Sequence, residues 1–328
     1  MAIPSVSPPL PPTTQNRAPQ PWTASIAGFA ARVASLRNML FFVLLIISVI
    51  VFWTPLRDLL RFSLWGDNQY DKYSYTMAIP FIALGLVIVE SRKIFASVQY
   101  GFRTGIILIL AGLVLKGSAG FAVKQLGEGN ALSAEILALA MFWLGGFILC
   151  YGVRAFRAGA FPLLFLILTV PVPDVLLDKP ITAVQHGSTA VCSWVFALLG
   201  VPALRNGMQF TLSTVTIEVA KECSGIHSTI AIFIISLAAG HLFLSSIFKR
   251  VVLVLVALPI VCVTNGLRIA GLTLLSEYVN PSFLHGNLHH KGGMGFFVLA
   301  LIFLLGILHL LRKGANAPHR QRDAGRNG

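Results

Sequence analysis

Three residues with side chains suited to acyl transfer lie where apolar segments of the chain meet polar ones. Cys223 follows Glu222 at the junction between a polar, strand-like stretch and a long apolar run. A thiol at the first turn of a helix is stabilised as the thiolate, because the helix N-terminus carries partial positive charge. Arg268 and His289 lie at similar inferred depth on the next two apolar segments. A thiol, a fixed cation and an imidazole indicate nucleophilic acyl chemistry at a membrane surface.

Two adjacent residues, His289 and His290, could supply the imidazole. Positions four residues apart share a helix face. Gly293 and Phe297 lie four and eight residues after His289, so the spacing favours His289 and leaves His290 as the alternative. Three further residues are possible supporting groups, and these are Glu222 beside the thiol, His227 one turn after it, and Asn265 three residues before Arg268.

Arg268 is an ionisable residue inside an apolar segment. Such residues are expensive in a membrane and indicate a functional role by default. Arg268 lies 18 residues after Arg250, which is about 27 Å along a helix. The alternative interpretation is that Arg268 snorkels toward the headgroups or pairs with Glu277.

Composition places the chain in the membrane. It has 328 residues, of which 56% are hydrophobic and 11% charged, against roughly 25% charged in soluble domains. The net charge is +13, but the charges are segregated, so the sequence does not predict nucleic-acid binding. The remaining cysteines, Cys150, Cys192 and Cys262, show no metal or disulfide spacing and are interpreted as buried apolar side chains.

We predict an all-α polytopic membrane protein with about eight transmembrane helices and a small extracytoplasmic β-hairpin before the nucleophile helix. A span needs about 20 apolar residues. Residues 37–313 form the membrane domain, 1–36 a disordered cytoplasmic tail and 314–328 a basic cytoplasmic tail. The hairpin is expected within 201–221, where residues alternate or are β-branched. The predicted spans are 39–55, 74–90, 104–123, 132–151, 161–173, 224–246, 251–277 and 294–311.

The positive-inside rule orients these spans. With a cytoplasmic N-terminus, 15 of the 25 basic residues fall on the inner side, which places Cys223 and His289 at the outer surface. Residues 176–200 are ambiguous, since they fit either an interfacial or a tilted helix. If that helix spanned fully, the site would instead face the cytoplasm.

Five stretches of the chain together resemble the exosortase/archaeosortase family of integral-membrane cysteine transpeptidases. In one departure, Tyr75 stands where the family has a histidine. The matching stretches are Trp65 to Pro80, the Pro-containing segments 161–165 and 171–173, the approach from Gly200 to Ile226 through Cys223, the NGLRI motif at 265–269, and HxxxGxxxF from His289 to Phe297.

The resemblance implies an enzyme that cleaves the C-terminal sorting tails of exported proteins and transfers them to an acceptor, which could be a lipid or a glycan. Such a tail has a short motif such as Pro-Glu-Pro, one transmembrane helix and a basic cluster. In the implied mechanism Cys223 attacks the scissile carbonyl, Arg268 stabilises charge and His289 transfers protons. No cofactor or metal is implied, and the location would be the bacterial inner membrane with the site facing outward. The alternatives are a simple intramembrane cysteine protease and a non-catalytic subunit of an exopolysaccharide export system.

Overall fold

The computed structural model describes residues 36–65, 75–126, 128–219, 226–280 and 293–313, and the described chain is mostly helical. The two predicted tails lie outside the described residues, except that Leu36 begins the first helix. The elements in chain order are α1 (Leu36–Val51), α2 (Trp53–Trp65), α3 (Ala78–Val89), α4 (Ser91–Ile94), α5 (Phe102–Leu126), α6 (Glu128–Ala158), α7 (Ala160–Phe165) continued by a 3-10 turn (Leu166–Thr169), α8 (Asp174–Leu198), β1 (Leu204–Asn206), β2 (Gln209–Thr211), β3 (Thr216–Glu218), α9 (Ile226–Phe243), α10 (Ile247–Tyr278) and α11 (Gly293–Lys313).

Each of the eight predicted spans contains a helix, but eight full crossings are not confirmed. Within the described residues, four helices are long and apolar enough to cross a membrane, and the bent pair α1–α2 gives a fifth if it forms one span. The four are Phe102–Ala119, Asn130–Ala158, Ile247–Tyr278 and Gly293–Lys313. The remaining three predicted spans contain apolar helices of 10–17 residues, which are Tyr75–Val89, Ala160–Thr169 and Ser228–Phe243.

Prolines explain why two of the predicted spans are broken. Between α1 and α2 the chain bends by 74°. Pro55 lies in the first turn of α2, where its missing N–H is tolerated, whereas continuing α1 through it would lose a hydrogen bond. After the 3-10 turn, Val170 is extended with ψ 121° because Pro171 follows it. Apolar composition alone did not reveal these breaks.

Helices α5 and α6 pack closely as an antiparallel hairpin. A Cβ added at Gly105 would lie 2.6 Å from the backbone nitrogen of Leu149, and one at Gly112 would lie 2.8 Å from the carbonyl oxygen of Ala138. Only glycine permits this approach. At Gly152 the helix is interrupted with φ 86°, and the extended residues before α5 run alongside the interruption, with the Gln99 N–H donating to the Tyr151 carbonyl.

Ten of the fifteen basic residues predicted to lie on the inner side are among the described residues, and they lie at one end of the bundle, here called the basic end. Side-chain contacts connect the helices at this end. The Tyr151 hydroxyl donates to Asn38, and His241 Nε2 lies 2.5 Å from Glu90 Oε1. The Lys249 ammonium donates to the carbonyl of Leu311. The basic residues at these helix ends are Arg37, Arg92, Lys93, Arg103, Arg154, Arg157, Lys249, Arg250, Arg312 and Lys313.

Helix α8, which covers the ambiguous residues 176–200, runs in the same direction as α10. Gly187 faces Cys262, and further along both helices the Cys192 thiol donates to the Gly266 carbonyl at 3.2 Å. Helix α7 also leaves the basic end, because Phe161 stacks on His241 with ring centroids 3.8 Å apart. Since α7 and α8 run the same way, α8 adds no reversal of direction. The sheet and the start of α9 therefore lie at the end opposite the basic end, here called the sheet end.

The β-hairpin predicted within 201–221 is present and has one additional strand. β2 and β3 pair antiparallel with Gln209 opposite Glu218, and β1 pairs with the other edge of β2. Gly207 has φ 63° in the β1–β2 turn, a conformation that favours glycine. β1 was missed because its three residues are all exposed and show no alternation.

Candidate functional site

Arg268 lies near the sheet end of α10 and contacts the start of α11. A Cβ built on Gly293 would lie 3.6 Å from the guanidinium carbon of Arg268 and 3.8 and 3.9 Å from its two terminal nitrogens. The side chain is half-buried and its Nε atom is fully buried. Gly293 is the fourth residue after His289, so the arginine reaches the helix that follows the histidine segment.

Arg268 and Lys249 lie on one continuous helix, α10. They are 19 residues apart, about 28 Å at 1.5 Å per residue. With Lys249 at the basic end, Arg268 lies toward the sheet end of the bundle.

Asn265, predicted as a supporting residue, does not contact solvent but joins two helices. It is 5% exposed, and its Nδ2 donates to the hydroxyl of Ser188 on α8 at 3.0 Å. Close helix contact makes this bond possible, since a Cβ on Gly266 would lie 2.8 Å from the carbonyl oxygen of Ser188. The bond fixes α10 against α8 three residues before Arg268.

The segment that leads to Cys223 is held by the same face of α8. Gln185 Nε2 donates to the carbonyl oxygen of Val219 at 2.9 Å, and the Val219 N–H donates to Met208. Val219 is 1% exposed. Its side chain packs in an apolar cluster that joins the sheet to α8 and α10, whose buried members are Cys192, Phe196, Phe210, Leu212, Val215, Ile217, Val219 and Ala270.

Glu277 is engaged by the sheet. Its carboxylate accepts hydrogen bonds from the backbone N–H and the hydroxyl of Thr214 and from the N–H of Val215, at 2.8–3.2 Å. It lies nine residues beyond Arg268, about 13 Å along the helix. The alternative in which Arg268 pairs with Glu277 therefore lacks support, and Glu277 instead ties the β2–β3 turn to the end of α10.

Several predicted site residues lie outside the described residues, namely Glu222, Cys223, His289 and His290. His227 is in the first turn of α9, but only its backbone is described. The structure locates the residues on either side of the cysteine segment and of the histidine segment. Val219 and Ile226 flank the cysteine segment, and Asn280 and Gly293 flank the histidine segment. The arrangement brings Arg268 together with the start of α11, and Val219 together with α8.

Two residues that bind the elements of the candidate site were not predicted as site residues from the sequence, namely Gln185 and Ser188. Both are buried, and they are three residues apart, so they share one helix face. A polar stripe at 185, 188 and 189 in a moderately apolar helix was the available signal. Among the described residues, no group of three or more His, Cys, Asp or Glu side chains could hold a metal ion.

Comparison with known proteins identifies the family. The model of the transmembrane exosortase family matches residues 65–306, about three quarters of the chain, and spans every predicted site residue. The chain belongs to this family. No curated protein and no solved structure matches it.

Proposed function

We propose that this transmembrane exosortase is a membrane-embedded cysteine transpeptidase that cleaves C-terminal sorting tails of exported proteins. The observation that carries the proposal is the contact between Arg268 and Gly293. This contact joins the arginine motif to the histidine motif. On α8, Gln185 binds the carbonyl of Val219, four residues before Cys223. Family membership supports the same chemistry.

The electrostatics of the sheet end suit a thiolate and an oxyanion. The guanidinium of Arg268 lies against the first turn of α11, where the helix N-terminus adds partial positive charge. Cys223 is three residues before Ile226, the first residue of α9, and we propose that the N-terminus of this helix acts on the thiol. Both features lower the free energy of an anion relative to a neutral group.

The proposed reaction has two steps. The Cys223 thiolate attacks the scissile carbonyl carbon, the C–N bond breaks, and His289 protonates the leaving amine. This gives a thioester between Cys223 and the substrate. His289 then removes a proton from the acceptor, which attacks the thioester and releases the thiolate. Arg268 stabilises the oxyanion that forms in each step.

The substrate is proposed to be a protein tail with a short motif such as Pro-Glu-Pro, one transmembrane helix and a basic cluster. The acceptor is a lipid or glycan amine or hydroxyl, and water is the acceptor if the enzyme is instead a protease. A reporter protein fused to such a tail tests this in cells. Cleavage by the wild type, with a mass increment at the new C-terminus, is the expected result. A free C-terminal carboxylate would establish hydrolysis.

The cysteine variants test the catalytic assignment. Cys150 and Cys192 are 0% exposed, and Cys262 packs against Gly187, so none is placed to meet a substrate. A variant with all three replaced by alanine should process the reporter, whereas Cys223→Ala, at equal membrane abundance, should not. Processing by Cys223→Ala would refute the proposal.

The site is proposed to face the extracytoplasmic side of the cell membrane, because the basic end should lie inside. A membrane-impermeant maleimide tests this in intact cells with single cysteines in a cysteine-free background. Ser282→Cys, which follows the sheet end of α10, should be labelled, and Ala315→Cys, which follows α11, should not. The reverse pattern would place the site in the cytoplasm.

A further inference from the structure

We propose that Gln185 and Ser188 of α8 are positioning residues that set the distance between the nucleophile segment and Arg268. The inference rests on the proposed function, since it assigns the geometry of that site to a third helix. Gln185 holds the carbonyl of Val219 at 2.9 Å, and Ser188 accepts from Asn265 at 3.0 Å. One helix face therefore binds both elements that must meet the substrate.

The spacing of these two bonds is short and fixed. Three residues of helix rise about 4.5 Å, so the two anchor points are within about one turn along α8. Val219 is four residues before Cys223, a tether of at most about 14 Å. Asn265 is three residues before Arg268, again about 4.5 Å along α10. A shift at either hydrogen bond therefore changes the distance between the Cys223 thiol and the Arg268 guanidinium.

Burial makes the anchors rigid. Gln185 is 6% and Ser188 0% exposed, so a broken bond leaves a polar group without water, which is costly. The helices cannot slide apart cheaply either, because Cys192 donates to the carbonyl of Gly266 at 3.2 Å. Replacing one anchor is therefore expected to shift the nucleophile segment by a small distance and to leave the bundle assembled.

The same helix provides a matched control. Thr189 is also 0% exposed, but its hydroxyl donates to the carbonyl of Gln185 within α8. Thr189→Val removes a buried hydrogen bond that stays within α8 and involves neither Val219 nor Asn265. A loss caused only by destabilising α8 would be similar in Thr189→Val and Ser188→Ala.

The experiment measures processing of the reporter and alkylation of Cys223 by iodoacetamide, per folded molecule, in the full-length protein with Cys150 and Cys262 replaced by alanine. Cys192 is kept because it is buried and binds the Gly266 carbonyl, and mass spectrometry identifies the alkylated residue. We expect Gln185→Leu to lower processing by between about tenfold and 10²-fold, the range for a misplacement of about 1 Å. Ser188→Ala should have a smaller loss and Thr189→Val less than about twofold. The pH dependence of Cys223 alkylation should shift in Gln185→Leu and not in Thr189→Val.

A conservative variant separates the hydrogen bond from packing. In Gln185→Glu the protonated acid can still donate to the Val219 carbonyl, and the ionised form cannot. Position 185 is 6% exposed, and burial raises the pKa of a carboxyl group, so the acid should be protonated at pH 6. At this pH Gln185→Glu should process the reporter much faster than Gln185→Leu. Equal rates for the two at pH 6, or an alkylation profile in Gln185→Leu identical to that of Thr189→Val, would overturn the positioning role. Cys223→Ala, assayed in parallel, reports separately on the proposed function.

Discussion

Two close helix contacts among the described residues, α5 with α6 and α8 with α10, use glycine in the same way but differ in chemistry. Gly105 faces the Leu149 backbone, and Gly266 faces Ser188 and Val191 at similarly short distances. Around the α5–α6 contact the buried side chains are mainly aliphatic and aromatic. The α8–α10 contact is also crossed by the hydrogen bond from Asn265 to Ser188.

This difference separates two roles. Apolar packing between helices in a membrane depends on close van der Waals contact and allows many equivalent side chains. A buried hydrogen bond fixes a unique register, because a slipped register leaves polar groups without partners. The α5–α6 pair therefore serves as scaffold, and the α8–α10 pair sets the register of the site. Changes in the first should reduce stability, and changes around the second should reduce catalysis.

The largest expected effect is at the histidine segment. His289→Ala should abolish reporter processing, since general acid–base catalysis contributes about 10²–10⁴-fold. His290→Ala and His285→Ala should retain most activity. His289 lies four residues before Gly293, which contacts Arg268, whereas His290 is out of this spacing and His285 is four residues further away. The measurement is the initial rate of tail cleavage at equal abundance of each variant. An inactive His290→Ala beside an active His289→Ala would shift the register by one residue.

Arg268 is expected to show the next largest effect. Lysine supplies one compact charge instead of a planar fork of donors, and it neutralises more readily when buried. Arg268→Lys should lose about 10²–10³-fold in rate, the usual loss for an oxyanion donor, and Arg268→Ala should be inactive. Both should insert normally, because the α8–α10 hydrogen bond is formed by Asn265. Wild-type turnover by Arg268→Lys would show that the residue only anchors its helix.

The smallest catalytic effect is expected in the scaffold pair. Gly105→Ala forces a Cβ to 2.6 Å from the Leu149 backbone, so it should destabilise the protein by about 1–3 kcal/mol. Gly117→Ala, on the same helix with nothing within 4 Å, is the control and should be neutral or slightly stabilising. Thermal unfolding in detergent measures both. Processing per folded molecule should stay near wild type in Gly105→Ala. A loss of catalysis without a loss of stability in this variant would show that the α5–α6 contact is not merely scaffold.

The sequence predicted the elements better than their lengths. Hydrophobic runs located a helix in every predicted span, and the alternation at 209–219 located β2 and β3. Eight full crossings are not confirmed, and apolar composition did not predict the break before Pro55 or the 3-10 turn at Leu166–Thr169. A proline in the first turn of a helix or just after a helix changes the direction of the chain, while the hydropathy of the surrounding segment stays high.

Arg268 illustrates what could be predicted about the site. Its distance from Lys249 followed from helix rise, because both residues lie on the continuous helix α10. The residues that hold the elements around Arg268 could not be derived from the sequence. Gln185 and Ser188 are polar residues in a helix whose neighbours depend on tertiary packing. Glu277 was considered as a partner of Arg268 on sequence proximity, but its carboxylate binds the β2–β3 turn. Side-chain partners across helices are not encoded in local periodicity.

The central claim, that Cys223 is the acyl-accepting nucleophile, is tested most directly by trapping the intermediate. Wild-type enzyme in membranes is mixed with the reporter, quenched in acid, digested and analysed by mass spectrometry. We expect the substrate fragment linked to the peptide that contains Cys223, through a bond that neutral hydroxylamine cleaves, and no such adduct in Cys223→Ala. Cleavage of the reporter with an adduct on another residue, or continued cleavage by Cys223→Ala, would contradict the account.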